Sequence, residues 1–177
     1  MWARERNGRV AEVTVTDPAG RYHPDLVWVG VPQELRPWVK AGWPIVDGAV
    51  EPPGPAALRA DMLTALAERR WRIEVGGVTL PTGATVRTDR ESQALINGAA
   101  QLAAREPDQT VSFKAQTGWV DLTAAEVEAI AVAVAQHVRQ CFRREKEIAA
   151  LLDGAATVGE LLTVWAAEID AGWPAVI

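Results

Sequence analysis

The sequence predicts an α+β fold: a small N-terminal antiparallel β module, a linker helix, then short β-hairpins with a helix between them and a long C-terminal helix. Three observations carry this. Asn-Gly and Asp-Gly pairs punctuate apolar, β-branched runs in the first fifty residues, as hairpin turns do. Three later stretches repeat apolar residues at three- and four-residue spacing, the period of a one-faced helix. Their order, helix, strands, helix, strands, long helix, differs from the strict alternation of a doubly wound sheet. The division expected from these signals is a β-rich attachment module at 1–53, a linker helix at 54–70 and an α+β domain at 71–177.

In chain order, Asn7-Gly8 separates WARER (2–6) from RVAEVTVT (9–16), and both turn positions favour φ > 0, so these runs read as paired strands. Asp17-Pro18-Ala19-Gly20 breaks the chain before LVWVGV (26–31), whose composition suits a third strand. PIVDGAVEP turns at Asp47-Gly48 as a second short hairpin. EPPGP (51–55) has three prolines, which remove backbone donors, and reads as a linker. AALRADMLTALAERRW places Leu58, Met62, Leu66 and Arg69 on one helical face.

From Trp71, WRIEVGGVTLPTGATVRT alternates apolar and polar residues and reads as two or three strands broken at Gly76-Gly77 and Pro81-Thr82-Gly83. A helix is expected over 89–104, then a hairpin in TVSFKAQTGWVDLT (110–123) turning near Gln116-Thr117-Gly118. Residues 124 to about 152 read as the long helix. After a break at Asp153-Gly154, apolar spacing through Leu161, Leu162 and Trp165 marks a short last helix before the tail AGWPAVI.

With 177 residues, 49% hydrophobic and 23% charged, the chain belongs with globular proteins that bury a real core. A net charge of -5 and a pI near 5.1 set its field against phosphate backbones and anionic lipid, so nucleic acid is not an expected partner. Cys141, the single cysteine, forms no intrachain disulfide, which fits assembly in a reducing cytosol. MWARERNGRV lacks the apolar core of a secretory signal, and no run approaches the ~18 apolar residues of a membrane span.

Several patterns invite a chemical reading. In TDRESQALINGAA (88–100), Thr88 and Glu91 stand at capping-box spacing, the threonine accepting from the third backbone N–H and the glutamate reaching back. Asp89 and Glu91 also place negative charge where the helix dipole favours it. Ser92 has no histidine near in sequence and no Gly-x-Ser-x-Gly elbow, so the motif reads as a helix start rather than a nucleophile. Thr123 and Glu126 repeat the same spacing at the start of the long helix.

His137, Cys141 and Glu145 share one face of that helix, and the first two have the spacing of a chelating pair. The competing reading places His137 and Cys141 in the buried stripe Val127, Ile130, Val134, Val138, Cys141 and Ile148, and no metal, cofactor or catalytic residue is assigned. RREKE (143–147) reads as a solvated helix face, and no phosphate-binding Gly-rich loop is present.

Eight tryptophans stand against one tyrosine and two phenylalanines. Trp28, Trp38, Trp43 and Trp173 sit where an indole can either close the edge of a small β module or anchor an interface. Together with the apolar stripe of Leu58, Met62 and Leu66, they are the interface candidates, the stripe being the expected seam of a symmetric homo-oligomer.

RWRIEVGGVTL, TDRESQALINGAA, VSFKAQTGWVDLTAAEVEAIA and QHVRQCFRREKEI follow one another at a spacing that resembles an uncharacterised domain family of tailed-phage and prophage proteins, associated with tails or tail fibres. More loosely, the Asn-Gly hairpin, YHPDLVWVGVP and GWPIVDGAVEPP are similar to β modules that begin small phage tail proteins. The resemblance implies a virion structural protein assembled in the host cytoplasm, at a tail tip, baseplate or fibre attachment point. It implies other tail or fibre proteins as partners, no enzymatic activity, no cofactor and no membrane insertion. A tail-fibre assembly chaperone and a carbohydrate-binding module using its tryptophans, Trp43 among them, to recognise a host glycan are the alternatives.

Overall fold

The computed structural model describes residues 1–80, 83–115 and 118–175, with backbone alone at 113–115 and 118. The fold is mixed α and β: a small N-terminal antiparallel sheet, short hairpins and four helices, the longest Ala124–Gly154. It divides into two compact units, Met1–Thr64 with Ala150–Ile169, and Ala65–Ala149 with Asp170–Ile177. The division falls inside two helices rather than at the proline-rich stretch 51–55.

In the first unit, β1 (Trp2–Arg6) lies between β2 (Arg9–Thr14) and β3 (Trp28–Gly30), antiparallel to both. Asn7 at φ 55° and Gly8 at φ 69° make the tight β1–β2 turn, a backbone region that only glycine and a few polar residues enter cheaply. Asp47 at φ 50° and Gly48 at φ 77° do the same between β4 (Ile45–Val46) and β5 (Ala49–Val50). The Val10 N–H donates to the Trp43 carbonyl at 2.8 Å and the Ile45 N–H to Gly8 at 2.9 Å, tying the second hairpin to the first. Ala3, Val10, Val31, Leu35, Ile45 and Val50 are buried here.

Helices α1 (Pro55–Glu74), α3 (Ala124–Gly154) and α4 (Val158–Glu168) complete this unit with their residues 55–64, 150–154 and 158–168. Pro55 opens α1, a position where its missing N–H costs nothing. Arg59 donates to the carbonyls of Leu152, at 2.9 Å, and Ala155, satisfying acceptors that the end of α3 leaves open. Lys40 Nζ pairs with Asp61 at 2.7 Å, and Trp38 meets Trp165 edge to face, ring centres 4.7 Å apart. Thr157 and Glu160 close a capping box on α4 that the sequence reading missed.

The second unit holds residues 65–74 of α1, the hairpin of β6 (Val78–Thr79) and β7 (Thr85–Val86), α2 (Arg90–Ala103), the hairpin of β8 (Val111–Ala115) and β9 (Gly118–Leu122), and residues 124–149 of α3. Val86, Ile96 and Val134 form a buried cluster against which Val78, Leu80, Ile130 and Ala131 pack. Along α3, Val127, Val134, His137, Cys141 and Ile148 are buried at the three-, four- and seven-residue spacings of a single face. Pro81 and Thr82 of one expected turn, and Gln116 and Thr117 of another, lie outside the described residues, as do Val176 and Ile177 of the tail.

Three expectations are corrected. WRIE continues α1 rather than starting a strand: Ile73 and Glu74 are buried, and Arg70 pairs with Glu74 one turn on, so the helical period outlasts the local alternation. The stripe of Leu58, Met62 and Leu66 is buried within the chain, so it is core and not an open seam between copies. Thr88 does not cap α2. Asp89 is the N-cap, its carboxylate accepting from the Ser92 N–H at 3.0 Å and the Ser92 hydroxyl at 2.8 Å. Glu91 is exposed, while the Thr88 hydroxyl is fully buried and bonded elsewhere. At α3, by contrast, the Glu126 N–H donates to the Thr123 hydroxyl at 3.3 Å and the Thr123 N–H to Glu126 at 2.8 Å, a reciprocal box.

Candidate functional site

A cluster of interacting polar side chains lies in the second unit, where the last turns of α1 face the middle of α3. Arg70 and Glu74 are one helical turn apart, and Arg70 Nε also donates to Glu145 at 3.1 Å. The Phe142 ring stacks on the Arg70 guanidinium, 4.4 Å from its centre. The Glu74 carboxylate is almost wholly removed from water and the Arg70 side chain mostly so. A buried charge of either sign persists only when paired, and here two carboxylates share one cation held in place by an aromatic face. The cation and its two anions occupy one another.

His137 and Cys141 lie beside this group. His137 Nε2 is 3.0 Å from the Ile73 carbonyl, which can only accept, so Nε2 carries a proton and donates it there. Cys141 Sγ lies 3.8 Å from that same nitrogen. The ring atom nearest the sulfur is therefore a donor already in use, the reverse of a base placed to take a thiol proton. Burial, with a further push from the Glu74 charge, raises the Cys141 thiol to about 11. The sulfur stays protonated, the opposite of an activated nucleophile. Glu145 is held by Arg70, and among the described residues no three His, Cys, Asp or Glu side chains converge as a metal site.

Thr88 serves the neighbouring chain turn. Its hydroxyl donates to the Glu74 carbonyl at 2.5 Å and accepts from the Gly77 N–H at 2.8 Å, and its own carbonyl accepts from the Gln93 amide at 2.6 Å. One hydroxyl thereby closes the end of α1 onto the segment leading into α2. The Ser92 hydroxyl donates to the Asp89 carboxylate, a weak base already engaged as the helix N-cap, and no histidine adjoins it among the described hydrogen bonds. The Asp89 carboxyl is held below its ordinary value chiefly by the Ser92 backbone N–H, and Glu126 below its own by the Thr123 backbone N–H.

The interface candidates do not form one surface. Trp38 and Trp43 are buried in the first unit, as are Leu58 and Met62; Leu66 is buried in the second. Trp28 is half-buried against Tyr22, ring centres 4.8 Å apart, and Trp173 is half-buried in the second unit. Trp43 thus has no face on which a sugar could stack.

Other large apolar side chains meet solvent in the second unit, the most exposed of those described being Trp119 at 71%, Leu95 at 64%, Trp71 at 52% and Leu102 at 51%. Their helix periods and hairpin positions were visible in the sequence, but the face left uncovered depends on which neighbours pack where. A shallow cleft with room for little more than one water molecule, about 10 Å³, is lined among the described residues by Ile96, Ala99, Val111, Leu122, Val127 and Ile130. It offers no polar group to orient a ligand. Among the described residues no helix is long and apolar enough to cross a membrane.

No curated protein and no solved structure matches the chain. The family model described as a domain of unknown function, DUF4376, matches residues 57–171, from the start of α1 to just beyond α4, and the chain belongs to that family.

Proposed function

We propose that the protein is a structural component of a tailed phage or phage-like particle, acting through protein surfaces. The observation that carries this is the pairing of an internally satisfied polar cluster with solvent-exposed apolar side chains. Arg70, Glu74, Glu145 and His137 bond one another or the backbone, and Cys141 is held as a thiol, so their chemistry is spent on the fold. Leu95, Leu102 and Trp119 instead present apolar area to solvent, as anchors of protein contacts do. The setting in a tail rests on the resemblance of the ordered blocks RWRIEVGGVTL, TDRESQALINGAA and VSFKAQTGWVDLTAAEVEAIA to tail-associated domains.

Quantitative mass spectrometry of purified particles tests the reading. A fixed copy number relative to a major tail protein is the expected result. Depletion from finished particles, with presence in assembly intermediates, would replace it with the chaperone reading.

A further inference from the structure

We infer that the outward face of α2 pairs with the same face of a second copy, antiparallel about Gly98. The inference concerns the isolated chain and assumes nothing about the particle. At about 100° per residue, Glu91, Ala94, Leu95, Gly98, Gln101, Leu102 and Arg105 lie within about 60° of one line along the helix, and all of them are exposed. Ile96 and Ala103, on the opposite side, are buried. The helical path continues past Ala103, because the Arg105 and Glu106 N–H groups both donate to the Leu102 carbonyl, at 2.9 and 3.0 Å.

Charge selects the occupant and its direction. The segment reads RESQALINGAAQLAARE, with Arg90-Glu91 at one end and Arg105-Glu106 at the other, placed symmetrically about Gly98. An antiparallel two-fold at Gly98 sets Glu91 beside Arg105 of the second copy, near the centre line of the face, and repeats the pair at the other end. A parallel pair would set like charges together. Among the described residues neither Glu91 nor Arg105 makes an ion pair within its own chain. The same axis brings Leu95 opposite Leu102, covering the two most exposed leucines of the chain.

Gly98 gives a second, independent indication. Glycine inside a helix is unfavourable, and here no neighbour in the chain requires it, since a Cβ at Gly98 would meet nothing within 4 Å. At the crossing point of two helices its lack of a side chain lets the backbones approach.

Sedimentation of the full chain at concentrations up to about 1 mM, the range in which small interfaces associate, provides the test. Wild type should form a dimer. Glu91→Arg alone and Arg105→Glu alone should each weaken association roughly tenfold or more, since each reverses two symmetric pairs. An equimolar mixture of the two variants should regain wild-type association, because every cross-copy pair is then complementary again. Circular dichroism of each variant confirms that α2 is intact, and Leu102→Glu should be monomeric. A monomeric wild type, a dimer indifferent to these changes, or a mixture no tighter than its components would overturn the inference.

Discussion

The Thr88 hydroxyl lies 2.5 Å from the Glu74 carbonyl oxygen and 2.8 Å from the Gly77 nitrogen, so one buried side chain satisfies both an acceptor and a donor of the turn after α1. Thr88→Val keeps the shape and removes the hydroxyl. It should lower stability by about 1–3 kcal/mol for each backbone group left without a partner. Thr88→Ser should lose less, and Glu91→Ala should change stability by no more than about 0.5 kcal/mol, as exposed positions do. Urea unfolding of the three variants decides this; a Thr88→Val protein as stable as wild type would refute the assignment.

Acid should act on two helix starts. Asp89 and Glu126 both have folded pKa values below their ordinary 3.8 and 4.5, because backbone N–H groups bond the charged form. A depressed folded value means that the stabilisation is complete above the unfolded value and is lost as pH falls through the folded one. Melting temperatures of wild type should therefore exceed those of Asp89→Asn and Glu126→Gln at neutral pH. The gap should close below pH 3.8 for the first and below pH 4.5 for the second. A gap that widens in acid would contradict the sign.

Arg70 is the only cation bonded to Glu74 and Glu145 among the described ion pairs, and Glu74 is the more deeply buried carboxylate. Arg70→Met should cost about 3–5 kcal/mol, the loss typical when one partner of a buried pair is removed. Replacing Glu74 and Glu145 by Met as well should restore much of it, since the desolvated charges disappear together. Thermal denaturation of the single and triple variants measures this. A triple variant no more stable than the single one would show that the cluster supplies more than charge compensation.

The Cys141 thiol, fully buried and raised to about 11, should resist alkylation in the native protein at pH 8. Labelling followed by mass spectrometry should track global unfolding rather than thiolate population. Rapid modification of the folded chain would show a reactive sulfur and reopen a chemical role for the His137–Cys141 pair.

Local devices were the most legible part of the fold. Asn7-Gly8 and Asp47-Gly48 announce tight turns because few residues tolerate the φ > 0 that such turns need. The helical periods of α2 and α3 announce buried faces, and the fold class follows from their order. Long-range placement was not legible. WRIE alternates like a strand, yet Ile73 and Glu74 complete a helix whose neighbours come from α3. Thr88 sits at capping-box spacing, but its bonding partners lie 11 and 14 residues earlier in the chain. The Leu58, Met62 and Leu66 stripe was correctly one-faced, and nothing in its own spacing could reveal that the chain itself covers it.

Imaging an assembled tail particle at side-chain resolution addresses the proposed role most directly. The chain should appear at a fixed copy number with Leu95, Leu102 and Trp119 covered by protein and the Arg70, Glu74 and Glu145 cluster unchanged. Absence of the chain from the particle, or its presence with those three apolar side chains facing solvent, would contradict the assignment.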